Sequence, residues 1–221
     1  MDMALRHGLS FCIASDRVIF LDLLRNRYFC LSPRANAAFM ALADEAVPPS
    51  EREQLEADLP IDLFVGDGHG PPSVFPAACN PPSGSLVDRP LPRPSIAALG
   101  GAMSQLSLAT LALKLRPLAT IVTHIKLRKD ALSSALPPDY PILLNLCAAY
   151  ERSSVHIARN DRCLPRSLAM ARHLLSLGIV PDLIFAVMVR PFQAHCWVQY
   201  GNHVLNDRLD NVRNFTPILI V

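Results

Sequence analysis

The sequence CLPRSLA occupies residues 163–169, and the segments AHCWV at 194–198 and LND at 205–207 follow it. Apolar residues recur at helical spacing after Cys163, and Gly178 lies just past the last of them. Pro165 suits the first turn of such a helix, where its missing N–H has no partner to lose. An apolar run at 183–189 predicts a buried strand, and 195–200 predicts the returning strand. These segments indicate a mixed α+β domain.

Three side chains in these segments have the chemistry of a cysteine nucleophile and its partners. Cys163 would lie at a helix N-terminus, where free N–H groups and the macrodipole favour a thiolate. A turn at Gly201-Asn202 and a third strand over His203–Asp207 would bring Asp207 close to His195. We therefore predict Cys163 as nucleophile, His195 as general base and acid, and Asp207 as the carboxylate that orients it. A cysteine in a helix cap or core contact is the alternative interpretation.

These segments resemble the B proteins of lasso-peptide biosynthesis, which are leader peptidases with a transglutaminase-like, papain-related fold. The resemblance rests on CLPRSL at 163–168, AHCWV at 194–198, LND at 205–207 and FTP at 215–217. It implies a cysteine peptidase domain and the same roles for Cys163, His195 and Asp207. The sequence departs from the family pattern at Cys196, where the family usually has a small residue, often alanine.

The N-terminal part predicts a small three-stranded meander followed by helices. Strands are predicted at 9–13, 18–23 and 27–31, a helix from Ser32-Pro33, a second helix over 49–57, and a short element over 59–65. This order resembles the RiPP recognition element, a winged-helix-like domain that holds leader peptides. The resemblance implies that a leader adds as an extra strand along the third strand. Leader contacts are then expected at Arg27, Tyr28, Phe29, Cys30 and Leu31. The alternative is that the meander only packs on the second domain.

The segment between these parts is rich in proline and glycine and predicts a linker without regular structure over 66–94. We therefore divide the chain into a recognition element at 1–65, this linker, and a peptidase domain at 95–221. Apolar helical patterns fill 95–152 and are expected to pack behind the nucleophile helix. The uncharged stretch 95–113 has nearly the length of a membrane span, but Gly100-Gly101 and several polar residues interrupt it. We expect a buried helix pair there and no membrane association.

Composition restricts the partners and the compartment. The 221 residues carry a formal net charge of +2, which gives no basis for steering toward nucleic acid. The six cysteines show no C-x-x-C spacing and the N-terminus has no signal-peptide pattern, so we expect reduced thiols and a cytoplasmic protein. No metal site is predicted. Cys163, His195, Cys196 and Asp207 are an unfavourable ligand set, because adjacent strand residues point to opposite faces.

The family resemblance implies a function as well as a fold. A precursor peptide would be bound by its leader, the leader would be cleaved off, and a partner ATP-using lasso cyclase would close the ring. The chain itself would bind no cofactor, and any ATP dependence would come through that cyclase. An acyl transferase with the same triad and a non-catalytic leader-binding scaffold are the alternatives. Arg166 and Ser167 either contact the substrate or cap and pair at the helix start.

Overall fold

A computed structural model of the chain describes residues 4–43, 49–65, 79–132, 139–153 and 163–221. The chain divides into two compact units, Met1–Ala78 and Cys79–Val221. The division falls inside the predicted 66–94 linker, of which 66–78 lie outside the described residues. Both units combine helices with antiparallel sheet, which confirms the predicted α+β class.

The first unit is built on a three-stranded antiparallel sheet, as predicted. Its elements are β1 (Ala4–Leu5), β2 (Leu9–Ala14), β3 (Arg17–Asp22), β4 (Arg27–Cys30), α1 (Pro33–Ala43), α2 (Pro49–Ala57), a 3₁₀ turn (Ile61–Leu63) and β5 (Phe64–Val65). The main sheet has the order β2-β3-β4, and β1 pairs with β5 in a separate two-stranded ribbon. Its strand β5 and the 3₁₀ turn before it lie within the short element predicted over 59–65, whereas β1 was not predicted, because a two-residue strand carries no periodicity.

Aromatic side chains form the core of the first unit. Phe11, Phe20 and Phe39 are fully buried, and their ring centroids lie 5.1 to 5.9 Å apart. Phe11 and Phe20 face each other across β2 and β3, so the alternation of the strands places both rings on the side that α1 covers. Phe29 stacks on Phe20 with centroids 5.1 Å apart, which attaches β4 to the same core. Such pairs each add about 0.5–1.5 kcal/mol beyond area burial.

The second unit packs helices on a five-stranded sheet. Its elements are β6 (Gly84–Ser85), a 3₁₀ turn (Leu86–Asp88), α3 (Ile96–Leu115), α4 (Leu118–Ala131), α5 (Tyr140–Ser153), α6 (Cys163–Ser176), β7 (Asp182–Met188), β8 (Gln193–Tyr200), β9 (His203–Val204), α7 (Leu209–Val212) and β10 (Thr216–Ile220). The strand order is β10-β7-β8-β9-β6, with β6 parallel to β9 and the other pairs antiparallel. Helix α6 packs on β8, which brings the nucleophile helix against the predicted base strand.

The prediction that 66–94 lacks regular structure is wrong at 84–88, where a short strand and a 3₁₀ turn form. Gly84–Ser85 pairs with His203 and Val204, and Leu86 is buried. The Ser85 hydroxyl lies 2.5 Å from the carbonyl oxygen of Asp207 and donates to it. Local composition favours an extended linker, but these long-range bonds to a sheet edge decide the conformation.

The expected buried helix pair at 95–113 is also wrong. Gly100 and Gly101 lie inside one continuous helix, α3, because a helical glycine costs only about 1 kcal/mol and packing against α5 and α6 offsets it. Among the described residues, α3 is the one helix long and apolar enough to cross a membrane, and only 11% of its most apolar window is buried. Leu115, for example, is 71% exposed.

Candidate active site

The nucleophile position is built by the first turn of α6. The helix begins at Cys163, and the residues that follow from Leu168 to Ala171 are buried without interruption. This buried stripe fixes the helix on the sheet, while Cys163 at its open end stays half-buried. The sulfur therefore lies where a reacting group can approach it.

His195 and Asp207 meet beside this sulfur. His195 projects from β8, and its Nε2 lies 2.6 Å from Asp207 Oδ2. The second carboxylate oxygen, Oδ1, accepts from the Arg208 backbone N–H at 2.7 Å and from the Asn211 side-chain amide at 2.8 Å. With Nε2 held by the carboxylate, Nδ1 is the ring nitrogen left free to interact with Cys163, and this interaction helps to raise the pKa of His195. The structure thus brings the three predicted residues together.

The predicted third strand is shorter than expected. β9 ends at Val204, and Asp207 lies on a bend beyond it. The reason is Asn206, whose side-chain oxygen accepts from the Val198 backbone N–H at 2.8 Å and takes the place of a backbone partner. The bend turns Asp207 toward the imidazole.

The electrostatics favour an ion pair of thiolate and imidazolium. Hydrogen bonds from Cys196 and His195, with the charge of His195, lower the pKa of Cys163 to about 4 against the opposing effect of burial. Burial alone would lower the pKa of His195, but its bonds to Asp207 and Cys163 raise it to about 9. Burial opposes ionisation of Asp207, yet bonds from His195 and Asn211 leave its pKa lowered. Between these limits the cysteine is deprotonated and the histidine protonated.

The sequence matches the profile of the transglutaminase-like superfamily over residues 105–220, which is more than half of the chain. The chain belongs to this superfamily. The match covers α6, β7, β8 and the Asp207 bend, so all three side chains of the triad lie inside the region that defines the family.

A short segment of the chain is similar to one curated protein. The microcin J25-processing protein McjB of Escherichia coli is 40% identical to the chain over 53 residues. The aligned segment covers 24% of this chain and spans about a quarter of that protein, 25% of its length. Together with the superfamily match, it confirms the resemblance to lasso-peptide B proteins. No solved structure matches the chain significantly.

Buried hydrogen bonds join α6, the helix that carries Cys163, to strand β8 and to the bend before Asp207. Ser167, one turn after Cys163, donates to the Cys196 carbonyl oxygen at 2.9 Å and accepts from the Asn206 amide at 2.8 Å. Ser167 and Asn206 are both buried. Arg166 forms an ion pair with Glu151 on α5. Of the two roles left open for Arg166 and Ser167, the structure therefore shows pairing and cross-linking at the helix start.

Aromatic rings frame the imidazole. The Phe215 centroid lies 5.0 Å from that of His195, and the buried Trp197 centroid lies 6.0 Å from it. Two aromatic rings therefore pack beside the imidazole that Asp207 orients.

Several functional contacts were missed in reasoning from sequence. Asn211 follows Asp207 by four residues, but Asp207 lies on the bend before α7 and not in the helix, so helical spacing alone did not predict this contact. Ser85 holds the Asp207 carbonyl from 122 residues away and gave no local signal. Burial and interaction with Cys163 raise the pKa of the Cys196 thiol, and this interaction was not predicted. Among the described residues, no cluster of three or more His, Cys, Asp or Glu side chains could hold a metal ion.

The predicted leader-binding residues lie on an edge strand of the first unit. β4 pairs with β3, and the three-stranded sheet places it at the border. A cavity of about 500 Å³ lies beside it. Four of the five predicted residues, Arg27, Phe29, Cys30 and Leu31, line this cavity together with residues 58–60 and 62, whereas Tyr28 is not among the lining residues.

Proposed function

We propose that this chain is a cysteine peptidase that binds the leader of a lasso-type precursor peptide and cleaves it off before a partner cyclase closes the ring. The observation that carries the proposal is the pair of Cys163 and His195, backed by Asp207 at 2.6 Å. The similarity to a microcin J25-processing protein supports peptide processing as the setting.

The geometry of the triad supports the following reaction. The Cys163 thiolate attacks the carbonyl carbon at the leader–core junction, and the oxyanion accepts from the Cys163 backbone N–H at the helix start. His195 gives its proton to the leaving amine as the C–N bond breaks, which releases the core with a free amino group. A water molecule then attacks the thioester, His195 takes its proton, and the leader leaves as a carboxylic acid. Asp207 keeps the imidazole oriented and stabilises its charge throughout.

The β4 edge supports the binding half of the proposal. An extended leader there would gain main-chain hydrogen bonds from β4, and the neighbouring cavity would take alternate side chains. Arg27, which lies over the Phe29 ring at 5.3 Å, is among the residues that line the cavity, and the carboxylates of Asp58 and Asp62 in the lining already pair with Arg34 and Arg25. Such a surface fits a peptide with apolar anchors.

Cleavage is tested with the purified full chain and a synthetic leader-plus-core peptide taken from a reading frame beside its gene. Mass spectrometry should show two fragments whose summed mass exceeds that of the peptide by one water. Cys163→Ala should abolish cleavage, and Cys79→Ala, a cysteine distant in sequence from the triad, should retain it. Cleavage that persists in Cys163→Ala would overturn the peptidase assignment. Parallel reactions with a partner cyclase and ATP measure any stimulation by them.

The same experiment separates hydrolysis from acyl transfer. An added small amine would appear on the leader fragment if the acyl-enzyme reacts with amines in preference to water. A peptide that binds but stays intact under all conditions would instead favour the non-catalytic scaffold.

Leader binding is tested separately with a fluorescent leader peptide and anisotropy. Cys30→Arg on the exposed end of β4 should weaken binding, because it places a bulky charge on the proposed strand-addition edge. Ile13→Arg, a partly exposed residue on the opposite edge strand β2, is the matched control and should bind as the wild type does. Equal loss in both variants would contradict the assignment to β4.

A further inference from the structure

The active site contains a second thiol that the hydrolytic mechanism does not use. Cys196 follows the base His195 on β8 and is almost completely buried, at 3% exposure. Its thiol interacts with that of Cys163, 33 positions away in the sequence; the interaction lowers the pKa of Cys163 and adds to the effect of burial in raising the pKa of Cys196. Both cysteines are free thiols.

The helix and the strand that carry the two cysteines are joined to each other beside them. Ser167 in the next turn of α6 donates to the Cys196 carbonyl oxygen at 2.9 Å, so helix and strand are joined directly beside the pair. β8 lies between β7 and β9, and the whole of β7 pairs with it in register. The thiols are therefore kept as neighbours by structure on both sides.

Cys163 and Cys196 differ in ionisation and exposure, as the two cysteines of a peroxide-reactive pair do. Cys163 is ionised at neutral pH and half-exposed, and thiolates are the form that peroxides oxidise. Cys196 is protonated, because burial and the neighbouring Cys163 charge raise its pKa well above the usual value. A reactive thiolate with an adjacent second thiol is the arrangement that resolves a sulfenic acid into a disulfide.

We propose that Cys163 and Cys196 form a reversible disulfide when the site meets a hydroperoxide. The Cys163 thiolate attacks the peroxide and becomes a sulfenic acid, and the peroxide leaves as an alcohol or as water after protonation. The Cys196 sulfur then displaces the hydroxyl group, its proton goes to the leaving oxygen, and water departs. Two thiols and one hydroperoxide thus give one disulfide, one alcohol or water, and one water. An external dithiol reverses the reaction.

The disulfide would make Cys163 unavailable as a nucleophile and would also protect its sulfur from irreversible oxidation. Without a resolving thiol, a sulfenic acid proceeds to the sulfinic and sulfonic acids, which thiols do not reduce. The inference depends on the contact between the two cysteines and not on which peptide the site cleaves.

The pair is tested by treating the full chain with hydrogen peroxide and mapping tryptic peptides. Cleavage after Arg162 and Arg166 separates Cys163 from Cys196, so a disulfide appears as a linked pair of peptides. The expected result is this linked pair, the loss of Cys163 alkylation by iodoacetamide, and recovery of alkylation with dithiothreitol. Peroxide that blocks Cys163 without producing the linked pair would overturn the proposal.

A matched set of variants checks the resolving role. Cys196→Ala should accumulate a Cys163 sulfenic acid that dimedone traps, and longer exposure should add oxygen that dithiothreitol does not remove. Cys147→Ala, which removes another buried cysteine of the same unit, should behave as the wild type does. Circular dichroism establishes that each variant is folded. Equal dimedone labelling of the wild type and Cys196→Ala would contradict the role of Cys196.

Discussion

At the scale of single residues, the site depends on the mutual influence of one sulfur and one imidazole. The pKa of Cys163 falls to about 4, and that of His195 rises to about 9. Raising the pH through about 4 creates the thiolate, and raising it further through about 9 removes the imidazolium. We therefore expect cleavage activity to form a plateau between these limits and to fall on both sides. A rate that increases steadily from pH 6 to pH 10 would show an ordinary thiol.

Substitution of His195 should raise the pKa of the Cys163 thiol. His195→Ala removes a hydrogen bond and a positive charge that both lower the pKa of Cys163, so that pKa should rise. Alkylation of Cys163 by iodoacetamide at pH 6 should then slow by about tenfold or more, even though a thiolate of higher pKa is intrinsically more nucleophilic. His124→Ala removes an exposed histidine on α4 and should leave the rate unchanged. An unchanged rate in His195→Ala would mean that the imidazole does not sustain the thiolate.

At the scale of elements, α6 is tied to the strands by a buried hydroxyl. Ser167→Ala would leave the Cys196 carbonyl and the Asn206 amide without this partner in the interior. We expect a loss of about 1–3 kcal/mol in the free energy of unfolding, measured by urea denaturation. Ser176→Ala, at the exposed end of the same helix, is the control and should change it by no more than about 0.5 kcal/mol. Equal small effects would show that the cross-link contributes little to stability.

Two adjacent glycines in α3 allow the effect of helix propensity on stability to be separated from the effect of packing. A Cβ on Gly100 would meet nothing within 4 Å, whereas one on Gly101 would lie 2.8 Å from Cε1 of His173. Gly100→Ala should therefore stabilise the protein by up to about 1 kcal/mol through helix propensity. Gly101→Ala must displace a half-buried ring on α6 and should be less stable than Gly100→Ala. Thermal unfolding of the two variants measures the order, and the reverse order would contradict the close contact of α3 with α6.

The elements also show how far the sequence can be interpreted. Helix α6 and strands β7 and β8 were predictable, because periodicity and apolar runs are local signals that burial on one sheet reinforces. Strand β6 was not, because two residues carry no pattern and their pairing depends on a partner more than 100 positions away. The continuity of α3 was mispredicted for a related reason: tertiary contacts outweigh the cost of its glycines. In the site, the triad followed from residue types and order, but the supports at Ser85, Asn206 and Asn211 are contacts that arise only when the chain folds.

At the scale of the whole molecule, binding and chemistry are assigned to different units. The proposed leader edge belongs to Met1–Ala78, and the triad belongs to Cys79–Val221. A substitution on the β4 edge should therefore remove binding without altering the thiolate. Cys30→Arg should react with iodoacetamide at Cys163 as fast as the wild type does, which separates a damaged fold from a damaged binding edge.

The kinetic consequence of this division can be measured with two substrates. For a full leader-plus-core peptide, Cys30→Arg should raise KM by about tenfold, which corresponds to about 1.4 kcal/mol of lost binding, and leave kcat unchanged. The reason is that contacts on β4 are remote from the reacting bond and hold substrate and transition state equally. A short peptide that spans only the cleavage junction makes no such contacts, so wild type and Cys30→Arg should cleave it with equal kcat/KM. Ile13→Arg should match the wild type on both substrates. A lowered kcat with unchanged KM on the full peptide would instead mean that the β4 edge takes part in organising the reacting groups.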